Sequence, residues 1–428
     1  MRLELANYQT RDVQFGPRTR WHDGVLEINK EVVLNTICQD PLVEKADIQL
    51  ARPGESTRIT TVRDILEARV KPQGPGVAYP GALGRPVDTV GSGRTNRLGG
   101  VTLMTLAESQ DLRRLGLITS HRPGTAYGNF IDMSGPGNIT PYGHMCNVCL
   151  IVEAAARLNP DEANRVVQVA MLKAQDVIAE ATVGAKPTEV ETFDMTPKPG
   201  LTGLVWIHSI VSSEATTRNP DSTLSTAVYG LTRLTQPWFL QPTETLDGAC
   251  FGNFGGWVTW PMTGTVGLHM CRRHGKDFNF LGVIMVRTMW EEQRLKQLMG
   301  NRAALVAQTL GAQGAVITPT LRGQRFLDTI MIVQACERAG IKSVLITEEE
   351  DDEDGTAPPM LVSGPEVVAV VSTGDGSAPG PFPPVKTVIS AGQTDPAMYG
   401  EQEPPHGRYG TSHMNDVYGF SNWANVAY

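Results

Sequence analysis

An acid, a thiol and four glycines crowd into one mid-chain stretch, Glu244-Thr245-Leu246-Asp247-Gly248-Ala249-Cys250-Phe251-Gly252-Asn253-Phe254-Gly255-Gly256. Glycine at this density excludes a regular helix or a central strand. The remaining reading is a loop whose backbone can approach something closely, with Asp247 and Cys250 as candidate catalytic groups. A second concentration of chemistry is Arg273-His274-Gly275-Lys276-Asp277, just ahead of an apolar run. There Arg273 and Lys276 can bind a substrate carboxylate, and His274 can move protons near neutral pH. The bland alternative is a salt-bridged turn. A third word, Ile131-Asp132-Met133-Ser134-Gly135-Pro136-Gly137, follows extended sequence. It sets Asp132 and Ser134 at a strand end, a common place for substrate contacts in α/β folds. An Asx turn accounts for it equally well.

Two further motifs need weighing. His144-x-Cys146-x-x-Cys149 and His269-x-Cys271-x-x-His274 share one spacing and offer zinc or iron six ligands. Against a metal, Cys146 and Cys149 are an odd number of residues apart and face opposite sides of an extended strand. A site needs the first word to begin as a turn, which Pro141-Tyr142-Gly143 permits. Val90-Gly91-Ser92-Gly93-Arg94 has the look of a nucleotide fingerprint but lacks the third glycine and the following helix.

The elements that must position these residues are legible in outline. Gly24–Asn29 and Asp47–Arg52 alternate as strands, and Glu31–Cys38 has helical spacing. Arg58–Arg69 is expected to be a helix capped near Thr61. Pro72-Gln73-Gly74-Pro75-Gly76 reads as a linker. Residues 77–140 are rich in glycine and β-branched types, as turn-linked strands are. Asn147–Val152 is a strand, and Asn159-Pro160-Asp161-Glu162 opens a helix to about Ala181. Leu204–Val211 is an apolar strand with His208 as a hydrogen-bonded core residue. Strands at 280–286, 315–318, 342–347 and 367–371 alternate with helices at 291–310 and 325–338, which predicts a parallel, doubly wound sheet. The acidic run Glu348–Asp354 reads as a solvated loop. The aromatic tail Tyr409–Tyr428 is expected to dock on another surface.

The fold class expected is therefore α/β, in four parts. These are a small α+β region (1–72), a β-rich α/β middle (76–245), a glycine-rich site loop (246–276) and a Rossmann-like C-terminal domain (277–428). A chain of 428 residues suits two or three domains. Net charge is −8, which argues against nucleic acid or an anionic membrane as partner. No signal-type leader or spanning run is evident, and six scattered cysteines suit a reducing cytoplasm.

Several words then occur in a telling order: Met1-Arg2-Leu3-Glu4-Leu5 with Val13-Gln14-Phe15-Gly16, Ala51-Arg52-Pro53-Gly54-Glu55-Ser56 and Val90-Gly91-Ser92-Gly93-Arg94-Thr95. After them come the Asp132 word, Asp247-Gly248-Ala249 and Arg273-His274-Gly275-Lys276-Asp277-Phe278-Asn279-Phe280. With them the chain resembles the precursor subunit of the glycine/sarcosine/betaine reductase component B family, to which the D-proline reductase proprotein is related. The resemblance implies that a loop cysteine converts itself into a pyruvoyl group whose ketone takes up a substrate amine. It implies a second subunit bearing a reactive cysteine or selenocysteine, reductive C–N cleavage and a hetero-oligomer. The family's cysteine follows a Gly-Asn pair, whereas here Gly252-Asn253 is followed by Phe254 and the loop thiol is Cys250. Two expectations stand open. Either Cys250 takes over, with cleavage after Ala249, or the chain stays intact as a divergent metal-binding or scaffolding subunit with another substrate.

Overall fold

The computed structural model describes residues 1–107, 129–134, 141–210, 226–231, 236–252, 259–288, 292–319, 324–349, 360, 362–375, 384–392 and 399–400. It is a mixed α/β protein built on three larger sheets. The first has the order 189–194, 2–9, 93–99, 69–73. Its centre is the amino-terminal strand Arg2–Gln9, parallel to Gly93–Gly99 and antiparallel to Glu189–Asp194. Leu3 and Leu5 are fully buried in one core cluster, Ala6 and Tyr8 are buried in another on the opposite face, and polar or charged residues (Arg2, Glu4, Asn7, Gln9) fill the remaining positions.

The second sheet runs Asn129–Asp132, Thr57–Leu66, Val101–Leu106, Cys146–Ala154, Val43–Ala51, and Thr387–Ile389 adds in parallel to Thr57–Leu66. Thr57–Leu66 was expected within a helix and is a strand. Six of its ten residues are β-branched (Thr57, Ile59, Thr60, Thr61, Val62, Ile65), and every one of the ten is buried. Thr61 has φ 57°, and the ladder slips beside it, between Val62 and Asp64. Helix α1 (Lys30–Cys38), capped by Asn29, covers Val33 and Ile37. Helix α2 (Pro160–Ala179) has the full capping box: Asn159 accepts from the Glu162 amide, and the Glu162 carboxylate accepts from the Asn159 amide. Its Val166, Val167, Ala170, Met171 and Ala174 pack with Tyr8, Leu66, Leu103 and Leu150.

The third sheet has the order 238–240, 279–287, 203–210, 314–318, 342–349, 370–375. All of it is parallel except the edge strand Trp238–Leu240. One face carries Trp206, Ile210, Val283 and Met285 against helix α3 (Thr259–Arg273), and the other carries Val205, Ile207, Ile284 and Ile317 against α4 (Gln293–Thr309) and α5 (Gln324–Arg338). Helix α3 lies where a loop through residue 276 was expected. Its glycine at 267 sits against Thr245 and Trp206, a close approach that helical propensity alone does not foresee. The fourth parallel strand begins three residues later than expected, at Val370.

Backbone ladders cross the expected part boundaries. Strands on both sides of residues 72–76 share the first two sheets, and Gly203–Ile210, from the middle part, is the inner strand between 279–287 and 314–318. The segments 350–354 and 409–428 lie outside the described residues. Among the described residues no helix is long and apolar enough to cross a membrane. Residues 277–428 expressed alone lack that inner strand and are expected to show no cooperative calorimetric transition. A fragment extended back to residue 200 regains the strand and should show one. A sharp transition from the shorter piece would contradict this placement.

Candidate functional site

The acid of the glycine-rich stretch is fully buried and closely held. Pro242–Asp247 forms a 3-10 turn that ends at Gly248, φ 74°. A side chain at 248 would also meet the Tyr79 ring at 2.4 Å, so only glycine fits. Asp247 Oδ2 accepts from Lys71 Nζ at 2.7 Å and from the Gly91 amide at 2.7 Å, while Oδ1 accepts from the Thr95 hydroxyl. Both members of the Lys71–Asp247 pair have wholly buried side chains. The Asp247 carbonyl accepts from Tyr79 N at 2.8 Å, and Arg69 donates to the Leu246 carbonyl. The Gly91-Ser92-Gly93 turn is thus an anchor for Asp247, with its two glycines at φ 92° and 83°.

A second buried acid stands beside the first. Glu244 accepts from the Tyr229 hydroxyl and from the Gln241 amide, and Tyr229 in turn accepts from Val90 N at 3.1 Å. Burial, with the charge of Asp247 adding to it, raises the Glu244 pKa above the ordinary carboxylate value. Burial also raises Tyr229, with Glu244 adding to the effect. Below these, Glu67 pairs with Arg69 and Arg97. Burial alone would raise its pKa, but the two guanidinium groups bring it below the usual range.

Cys250 starts the short strand Cys250–Gly252, which pairs antiparallel with Thr226–Val228. The Ala249 carbonyl, which a thiol at 250 would attack, accepts from Tyr229 N at 2.8 Å. The thiol is buried among Leu246, Val228 and Leu240, and burial raises its pKa well above that of an exposed cysteine. It therefore stays protonated and is a poor nucleophile. These surroundings do not fit formation of a pyruvoyl group from Cys250. Asn253 and Phe254 lie outside the described residues.

The other expected residues are placed as follows. Asp132 ends a strand of the second sheet and Ser134 lies just beyond it, where Ser134 N donates to Asp132 Oδ1 at 2.8 Å, the Asx-turn form. Asp132 Oδ2 takes a buried Arg58 guanidinium at 2.7 and 3.2 Å. His274 closes α3: its Nδ1 accepts from Phe280 N at 2.9 Å and its Nε2 donates to the Thr196 carbonyl at 3.1 Å. Arg273 pairs with Asp277, and Lys276 is exposed. This is the salt-bridged turn form of the motif. His144 is exposed, Cys146 and Cys149 belong to different core clusters on opposite faces of one strand, and Cys271 Sγ faces the Pro242 carbonyl at 3.8 Å. Burial pushes the Cys146 thiol up to about 11. His269 is half-buried in α3, and among the described residues no three His, Cys, Asp or Glu side chains gather as a metal ion requires.

Lys71 was not foreseen. It lies in Arg69–Gln73, next to a proline- and glycine-rich turn, and nothing local marks it as buried. Thr95 and Gly91 were visible only as parts of a recurring word.

In this mixed α/β chain a buried acid latched beneath a glycine turn fixes the mid-chain segment in place. Over residues 1–415 the chain matches the glycine/sarcosine/betaine reductase component B subunits, and it belongs to that family. It is 32% identical over 407 residues to the sarcosine reductase complex component B subunit alpha of Peptoclostridium acidaminophilum, covering 91% of this chain and 89% of the relative. It is 30% identical to the glycine reductase complex component B subunits alpha and beta of Acetoanaerobium sticklandii, covering 91% and 89%. It is 29% identical to the betaine reductase complex component B subunit alpha of P. acidaminophilum, covering 91% and 88%. No solved structure matches.

Two outcomes are expected here. Replacing Lys71 with Met leaves Asp247 buried and uncompensated, at a cost of about 3–5 kcal/mol, and adding Asp247→Leu recovers much of the loss. Chemical denaturation of the singles and the double measures this. Because the folded-state pKa of Glu244 is raised, its stabilising contribution is full below about pH 4.5, its ordinary value, and falls as pH rises through the folded value. Melting temperatures followed from pH 4 to pH 8 should show this decline, and Glu244→Gln should flatten it.

Proposed function

We propose that the chain is the component-B-type subunit of a heteromeric amino-acid reductase, cleaving the C–N bond of a glycine-, betaine- or proline-type substrate with a thiol- or selenol-bearing partner subunit. The observation that carries this is the family match along 415 residues, extending through the Asp247 segment and its Gly91–Thr95 anchor. Reductive C–N cleavage uses two electrons. A thiol and a selenol on the partner supply them as they oxidise to an S–Se bond; of the two protons they give up, one goes to the nitrogen and one to the α-carbon, so C–N, S–H and Se–H bonds break and C–H, N–H and S–Se bonds form. In this reading the third sheet is a Rossmann-like, doubly wound support for the substrate, and the complex is cytoplasmic.

In the same reading the chain stays joined between Ala249 and Cys250. The buried, protonated thiol and its regular strand pairing support this. So does the substrate chemistry. A trimethylated nitrogen, as in a betaine, has neither a proton nor a lone pair and cannot condense with a ketone. A betaine-type substrate therefore has no use for a Schiff base.

Denaturing mass spectrometry is expected to give one species near 46.4 kDa, unchanged but for the substitution in Cys250→Ala. With a selenol-bearing partner and a dithiol, the preparation should release amine from at least one of glycine, sarcosine and betaine, or open the ring of D-proline to a linear primary amine. A fragment beginning at residue 250 would overturn the intact-chain part. Failure to cleave the C–N bond of any of the four would leave a scaffolding subunit with a different substrate.

A further inference from the structure

Helix α4 (Gln293–Thr309) carries one more apolar stripe than a helix lying on a sheet requires. Its inner side is accounted for. Met299, Ala303, Ala304 and Ala307 enter the core cluster between helix and sheet. A side chain at Gly300 would meet the Met331 carbonyl at 2.8 Å, so glycine lets α4 lie close against α5. Lys296, the charged residue of that side, pairs with Asp328 at 2.6 Å. The outer side shows Leu298 at 47% exposure and Leu305 at 46%. Single exposed leucines are ordinary. These two stand two turns apart on one ridge, about 10 Å from each other. Among the described residues no other helix exposes more than one large apolar side chain, and α1 exposes Val32 alone.

The same ridge is charged. Arg294 lies one turn before Leu298 and Arg302 one turn after it, and both are exposed. Neither has an ion-pair or hydrogen-bond partner among the described residues. The chain has 45 acidic residues and a net charge of −8, yet none of those acids falls within 293–309 to neutralise the two arginines. Leu298, Arg302, Leu305 and Thr309 follow one another at a 4-3-4 spacing, at which one helix meets another lying nearly along it. The Thr309 hydroxyl donates to the Leu305 carbonyl at 2.8 Å and is satisfied within the helix. What the seam lacks is apolar cover for two leucines and carboxylates for two arginines. A second copy of the chain does not supply both. A two-fold axis beside the helix sets Leu298 against Leu305 of the copy but brings two Arg302 side chains together, with no acid on the helix to separate them. Two cations are also too few to hold a nucleic acid.

We propose that the outer ridge of α4 docks an acidic amphipathic helix of another subunit, whose apolar stripe covers Leu298 and Leu305 and whose carboxylates pair with Arg294 and Arg302. Burial of the leucines supplies the attraction, and the arginines select the partner and fix its register. Helix α4 packs on the opposite face of the sheet from Leu246, Ala249 and Cys250, so a subunit held there leaves the glycine-rich segment uncovered. One helical ridge is a small interface, and its contacts are partly ionic. The complex is therefore reversible and weakened by salt.

Fluorescence anisotropy with two labelled synthetic peptides and the full chain tests this. Both peptides are helices of about three heptads with leucines at 4-3 spacing; one has glutamates flanking the leucines and the other has lysines. The glutamate peptide is expected to bind, less tightly as salt is raised, and the lysine peptide not to. Leu298→Ser with Leu305→Ser should weaken the glutamate peptide about tenfold or more. Arg294→Glu with Arg302→Glu should reverse the preference, so that the lysine peptide binds instead. All four side chains are exposed, so the variants are expected to melt as the wild type does. If the serine pair melts early, Arg302→Glu alone, read as the ratio of the two peptide affinities, carries the test. Absence of glutamate-peptide binding, equal binding of both peptides, or a preference unmoved by charge reversal overturns the proposal. So does a concentration-dependent dimer in sedimentation that the serine pair abolishes, since the occupant is then a second copy. Amine release by the complex is measured separately, and none of these outcomes alters it.

Discussion

One carboxylate ties three distant stretches together. Asp247 holds Lys71, the Gly91 amide and the Thr95 hydroxyl, so residues 69–73, 90–95 and 242–250 cannot move apart without exposing a buried charge. Removing two ions from water is expensive, and the attraction between them repays that only with close geometry and further hydrogen bonds. Asp247 has both. The backbone around it is equally constrained: the Tyr79 ring excludes any residue but glycine at 248, and Arg69 and the Tyr79 amide take the carbonyls of Leu246 and Asp247. What looks in sequence like a flexible glycine loop is, as far as Gly252, a clamped segment of the core.

That clamp bears on the chemistry the segment can support. Self-cleavage requires a thiolate and a carbonyl that can pyramidalise. Cys250 has a thiol kept protonated by burial. The two sides of this segment are also interlocked. Gly203–Ile210 is an inner strand of the carboxyl-terminal sheet, and Thr387–Ile389 extends a sheet of the amino-terminal part. Pulling them apart would break ladders in two sheets, so the mid-chain segment is not a hinge between independent bodies.

Much of this was legible in the chain. Helices with explicit caps, such as Asn159 to Glu162, and continuous apolar strands such as 203–210 announce themselves through local chemistry. Two elements did not. Thr57–Leu66 carries Arg58, Arg63, Asp64 and a possible cap at Thr61, which mimic a helix start; only its burial on both faces makes it a strand. Helix α3 has glycines and a threonine-rich start, and its stability comes from packing on the 242–247 turn and the sheet. At the site, Asp247 and the Gly91–Thr95 word were each visible but not their contact. Lys71 was invisible, because a lone lysine beside a turn reads as solvated and burial is a property of the assembled fold. The turns at Asp132 and His274 show the converse: motifs rich in charge satisfied by their own neighbours.

The central claim is that the Asp247 carboxylate, by accepting the Gly91 amide, fastens the mid-chain segment to the first sheet. Hydrogen–deuterium exchange at the Gly91 amide, resolved by NMR, tests it most directly in the intact protein and in Asp247→Ala. The account expects strong protection in the first and fast exchange at Gly91 in the second, while amides in Gly203–Ile210 stay protected in both. Equal protection of Gly91 in the two proteins would contradict it.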